Sequence, residues 1–150
     1  MKNLLSITIL VMALTLSSCF GNYLNYSVNV DPNVPDTYDG RDVTVAGTVY
    51  VSSQDVTFYA WDSGDVDGDI VSLIVNGNTV LDYYTLTGSE KAISVSLKNT
   101  GYNYVLLYAH NEGDIPPNTC ALDLDDGIDR QSLTLSSDLS TNEAYNIYVQ

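Results

Sequence analysis

DIVSLIVNGNTVLDYYTL, residues 69–86, sets two apolar-rich runs on either side of an Asn-Gly pair. Both residues of such a pair tolerate positive φ, and the two-residue turn they form matches the right-handed twist of paired strands. The stretch therefore reads as a β-hairpin turning at Asn76-Gly77. The same period of two governs its surroundings. VTVAGTVYV alternates Val43, Val45, Val49 and Val51 with Thr44, Thr48 and Tyr50, and DVTFYAW sets Val56, Phe58 and Ala60 against Thr57, Tyr59 and Trp61. AISVSL, YNYVLLYAH, CALDLD, QSLTL and AYNIYVQ continue the series between Gly, Asn, Pro and Asp clusters, and no segment keeps a helical period. Eight or nine such strands predict an all-β fold, an antiparallel β-sandwich of immunoglobulin-like or jelly-roll type, spanning 43–150 as one domain. A domain of that length buries enough apolar surface to fold without disulfides.

The N-terminal residues carry a different signal. Lys2 precedes an apolar stretch from Leu4 to Leu16, too short to span a bilayer, as in a secretory signal peptide over residues 1–18. It ends in Leu16-Ser17-Ser18-Cys19, which resembles the bacterial lipobox and marks Cys19 as the lipidated residue of a lipoprotein. Each buried acyl methylene contributes about 0.8 kcal/mol, so several chains together give stable attachment. Phe20 stands where an Asp would resemble an inner-membrane retention signal, which implies the outer membrane or cell surface. Residues 19–42, with NVDPNVPDTYDGRD, read as a lipidated terminus and flexible tether, although YLNYSVNV (23–30) alternates well enough to add an edge strand.

Charge and cysteine usage exclude several partners and chemistries. The chain has 5 basic and 19 acidic residues; without Lys2, four face nineteen, a formal charge near −15. Nucleic acid needs the opposite sign, and anionic headgroups are equally repelled, so membrane contact rests on the anchor. With Cys19 acylated, Cys120 is left alone, and its alternation with Leu122 and Leu124 places it on the apolar face of a strand. Nothing basic lies near it to activate a thiol.

WDSGDVDGDIV puts Asp62, Asp65, Asp67 and Asp69 into eight positions. In extended backbone, Asp65, Asp67 and Asp69 would share a face about 6 to 7 Å apart, a spacing at which repulsion in water is under roughly 1 kcal/mol per pair. Repulsion alone therefore demands no ion. Hard oxygen donors, Gly64 and Gly68 to fold the backbone inward, and an extracytoplasmic setting together point to calcium, with Asn118 or the Asp125-Asp126 pair as donors from a second segment. An EF-hand is excluded, because Ser63 and Ile74 occupy its first and last ligand positions. The competing reading is a solvated bend whose aspartates accept from backbone amides.

WDSGDVDGDIVSLIVNG, followed by YVLLYAHNEGDIPPNTCALDLDDG, resembles an uncharacterised domain of secreted and surface-anchored proteins of Gram-negative bacteria. The likeness covers about 55–150 and is carried by the DGD, NG and PPNT elements; Cys120 stands where Ala is usual, and His110 falls between the matching Ala109 and Asn111. The resemblance implies a surface-located β-sandwich and carries no catalytic residue. In IPPNT the two prolines fix φ and make a stiff crossing between strands, which Asn118 can close.

No catalytic residue is assigned. His110 is the chain's one histidine and a lone strand histidine is seldom a general base, zinc has too few ligands, and no glycine loop precedes a helix. The expected function is a non-catalytic binding or structural module, with a glycan or an envelope or host protein as partner. A first alternative is a carbohydrate-binding module using Tyr59, Trp61, Tyr104 and Tyr108, set against the ordinary suitability of tyrosine for half-buried strands. A glycosidase-like or hydrolase-accessory protein ranks last, because working carboxylates must face each other across a cleft.

Overall fold

The computed structural model describes residues 26–28 and 32–150. The signal peptide and Cys19 lie outside the described residues. Among the described residues, eleven strands run in chain order: β1 (Tyr26–Val28), β2 (Thr37–Tyr38), β3 (Arg41–Val51), β4 (Asp55–Trp61), β5 (Ile70–Val75), β6 (Asn78–Thr85), β7 (Lys91–Leu97), β8 (Gly101–Ala109), β9 (Asn118–Asp125), β10 (Arg130–Ser137) and β11 (Thr141–Val149). They form two sheets, ordered β1-β7-β4-β9-β10 and β2-β3-β11-β8-β5-β6. The fold is thus the expected β-sandwich, with β1 and β2 as short additions to nine longer strands.

Alternation decides which side chains meet between the sheets. Val56, Phe58 and Ala60 of β4 face Val71, Leu73 and Val75 of β5 within one core that also holds Cys120, Leu122, Leu124, Leu135 and Ile147. Phe58 is fully buried, a burial that contributes up to about 3 kcal/mol. The hairpin at Asn76-Gly77 forms as predicted, with φ of 47° and 81° at its two central residues. Asn76 is itself buried: its Oδ1 accepts from the Tyr104 amide at 2.8 Å and its Nδ2 donates to Asn103 Oδ1 at 2.6 Å.

The start of the sheet and the direction of two strand pairings differ from the antiparallel sandwich expected from residue 43 onward: β3 with β11, and β1, the edge strand that YLNYSVNV allowed, with β7, both run parallel. The sheet begins at Thr37 rather than at residue 43, because Asp39 and Gly40, with φ of 49° and 76°, make a second two-residue turn between β2 and β3. β1, inside the YLNYSVNV segment, pairs parallel with β7 at the edge of its sheet. The outer face of the six-stranded sheet is also covered. Ile74, Tyr104, Leu106 and Ala144 form a second apolar cluster against Val34, Tyr38, Val43 and Tyr108.

The β5–β6 pairing is irregular. Val71 pairs Tyr84 and Leu73 pairs Leu81, so Ser72 alone opposes both Asp82 and Tyr83. Such a bulge bends its strand and re-aims side chains.

Candidate metal centre

β4 ends at Trp61 and β5 begins at Ile70, and the eight residues between them fold inward. Gly68 adopts φ +95°, which breaks the extended path and turns the carboxylates on either side of it toward one another. Oxygens of Asp62, Asp67 and Asp69 lie within 4.8 Å of each other and could hold a metal ion. Two oxygens bound to one ion at about 2.4 Å are separated by no more than about 5 Å, so the cluster has the right size.

Backbone amides from a distant segment hold these carboxylates. The Ile115 amide donates to Asp67 Oδ2 at 2.7 Å and the Thr119 amide to Asp69 Oδ2 at 3.1 Å. The Gly64 amide donates to Asp62 Oδ1 at 2.9 Å, a local turn of the kind aspartate favours. Asn111 ties the loop from below: its Oδ1 accepts from the Ile70 amide at 2.7 Å and its Nδ2 donates to Gly68 O at 2.8 Å. Gly113, at φ +56°, lets this segment approach, since a Cβ there would lie 2.5 Å from Asp69 Oδ1 and 2.6 Å from Asp67 Oδ2.

Asp69 is 4% exposed, and its Oδ1 is buried with no hydrogen-bond partner. Burial pushes its carboxyl up to about 6, reinforced by neighbouring Asp67 and Asp62 and opposed by the Thr119 amide. Neither ion pair among the described residues involves the cluster; both belong to Arg130, with Glu90 and Asp123. Converging carboxylates with no protein cation beside them have two ways to relieve their repulsion, a shared proton or a bound metal ion.

The predicted ligands divide. Asp62, Asp67 and Asp69 come together, whereas Asp65 is exposed and lies outside the triple, lining the same cleft of about 230 Å³. Asn118 stands one layer back: fully buried, it donates to Asn111 Oδ1 at 3.3 Å, and its own Oδ1 has no hydrogen-bond partner. Asp125 and Asp126 are at the far end of β9 from Asn118, roughly 20 Å away at strand rise. There Asp126 accepts from the Ser52, Ile128 and Asp129 amides. Asn111 and Gly113 join the site although the sequence reading names neither as a member of it. Their spacing, Asn-x-Gly ahead of IPPNT, was the available signal.

The aromatic candidates do not share a surface. Tyr59 and Trp61 lie on β4 of one sheet and Tyr104 and Tyr108 on β8 of the other. Tyr59 is capped by the Arg130 guanidinium at 4.0 Å. Tyr104 is 4% exposed, covered by the chain ahead of residue 44, and so is no part of an exposed platform. A different row, Tyr50, Tyr148 and Tyr102, pairs across β3, β11 and β8, but its rings are inclined by 56° and 80° and make no flat stacking face. Cys120 is buried in the core, its thiol pushed up to about 12 by desolvation.

Protein-family models, curated proteins and solved structures contain no match to this chain. The chemistry of the acidic loop thus rests on its own geometry.

Proposed function

We propose that this chain is a non-catalytic β-sandwich module, held at the outer membrane or cell surface by an acylated Cys19, whose acidic loop is closed by calcium. The observation that carries the ion is Asp69 Oδ1, a buried carboxylate oxygen without a partner that lies beside the Asp67 carboxylate. Calcium suits this donor set better than softer metals, because every side-chain donor is a carboxylate oxygen. The ion would offset two of the three negative charges of Asp62, Asp67 and Asp69 and lock the β4–β5 connection onto the Ile115–Thr119 segment. A module of this kind offers a rigid surface for a glycan or an envelope or host protein. The resemblance of the DGD, NG and PPNT elements to surface-anchored domains supports the same location.

Thermal melting of the purified chain in calcium and in chelator tests the proposal. Calcium is expected to raise the melting temperature, and magnesium at equal concentration to raise it less, since Mg²⁺ sheds water reluctantly. An identical melting curve in calcium and chelator would remove the ion.

A further inference from the structure

Away from the acidic loop, the outer face of the six-stranded sheet holds a cleft of about 400 Å³. Its floor is Ser72 and Ile74 of β5, its walls are Asp82 on β6 and Tyr108 and His110 at the end of β8, and Tyr38 and Asp39 of the β2–β3 turn close it. Three irregularities meet here. Ser72 is 4% exposed, yet its hydroxyl contacts His110 Nε2 at 2.8 Å, donates to Asp82 Oδ1 at 3.1 Å and accepts from the Tyr83 amide at 3.0 Å. Tyr83 sits at φ 45°, a left-handed conformation that is strained for an aromatic residue. The β5–β6 bulge falls at the same three residues. A packed sheet has no need of this arrangement, whereas bulges and strained residues collect where a side chain must be aimed.

We infer that this cleft binds an alkylammonium group, taken between the carboxylates of Asp39 and Asp82 with its methylenes over Ile74. Hydroxyls of Tyr38 and Thr79 also line the cleft, and several of the other donors around it are already engaged. Arg41 Nη1 donates to Ala109 O at 2.7 Å and Asp138 O at 2.9 Å, Tyr108 donates to Asp39 Oδ2 at 2.7 Å, and Ser72 donates to Asp82. Asp39 Oδ1 and Asp82 Oδ2 remain as acceptors, and a donor group that carries positive charge complements two carboxylates. The chain already seats one organic cation beside this cleft, the Arg41 guanidinium 4.2 Å from the centre of the Tyr108 ring. A formal charge of −14 draws cations toward the surface. The ammonium can be that of a free small amine or of a lysine side chain on another protein.

The single histidine makes the test direct, because His110 gives one assignable ring signal. The purified chain is titrated with 1,4-diaminobutane and, separately, with Nα-acetyl-lysine methylamide while that signal is followed by NMR. Nα-acetyl-norleucine methylamide and methyl β-glucoside serve as uncharged comparators. A saturable shift with either amine supports the site, and the tighter of the two names the source. Asp82→Asn, which keeps an oxygen for Ser72, is expected to weaken binding at least tenfold with an unchanged melting temperature. Asp39→Asn, at an exposed turn, is a second variant with the same expectation should Asp82→Asn fold poorly. Absence of a saturable shift, an equal response to norleucine or glucoside, or undiminished affinity in a folded variant would overturn the inference.

Discussion

The Ile115 amide donates to Asp67 Oδ2 at 2.7 Å, joining two residues that are 48 positions apart in the chain. Through this bond and the one from Thr119 to Asp69, the PPNT crossing holds the acidic loop in its inward shape. Loop and crossing form one unit, so a change on either side is expected to be felt at the carboxylates.

Asp69→Asn separates the ion from the fold. The substitution removes a buried negative charge that has no cation beside it, so in chelator the variant should melt at or above the parent temperature. In calcium the order should reverse. A ligand at a hundred times its Kd stabilises by about 2.7 kcal/mol, and the variant would forgo that gain. Parallel melts in the two buffers check it; a variant that still responds fully to calcium would contradict the assignment of Asp69 as a ligand.

Gly113→Ala tests the approach of the second segment. Its Cβ would lie 2.5 to 2.7 Å from oxygens of Asp67 and Asp69, and φ is +56°. Strain and steric displacement should cost roughly 1–3 kcal/mol. The clash pushes the carboxylates apart, so calcium affinity should fall with stability, measured by denaturant melts and calcium titration of the same sample. An alanine variant with unaltered calcium affinity would show that the Gly113 segment is not a wall of the site.

What the sequence revealed and what it concealed follow from the range of the interactions. Asn76-Gly77 and the alternation of Cys120, Leu122 and Leu124 are local, and both read directly. Asp39-Gly40 is the same kind of turn, but Pro32 and Pro35 just before it made the stretch resemble a tether. Tyr104 reads as a binding residue from its own strand, which does not show that Val34, Tyr38 and Val43 fold back over that face. Asp65 shares a face with its neighbours only on an extended path, and Gly68 breaks that path. Asn111 and Gly113 act on partners some forty residues earlier, and the bulge opposite Ser72 exists only as a relation between two strands. Alternation cannot report such contacts.

The buried asparagine pair under the Asn76-Gly77 turn predicts a large effect from a small deletion. Asn103 Nδ2 donates to Asn99 O at 3.1 Å and Gly101 O at 3.2 Å while its Oδ1 accepts from Asn76. Asn103→Ala would leave buried groups unpaired on both sides, a loss of roughly 2–4 kcal/mol. Asn78→Ala, which removes one bond to Asn76 O at a half-buried position, should cost about 1 kcal/mol or less. Urea denaturation of the two variants compares them; equal losses would mean that the buried network adds nothing beyond single bonds.

Acid stability should carry the mark of Asp138. The Ser140 hydroxyl and amide and the Thr141 amide all donate to its Oδ1 in the turn between β10 and β11, and they hold its carboxyl down at about 2. A carboxyl whose folded pKa lies below its unfolded value near 3.9 binds fewer protons when folded. Its contribution is therefore complete above about pH 4 and is lost as pH falls toward 2. Asp138→Asn keeps the acceptor oxygen but gains no proton in this window. The melting temperature of the parent should fall more steeply between pH 4 and 2 than that of the variant, and the two curves should converge at the acid end. Parallel slopes for parent and variant would mean that the turn is not held by the charged form.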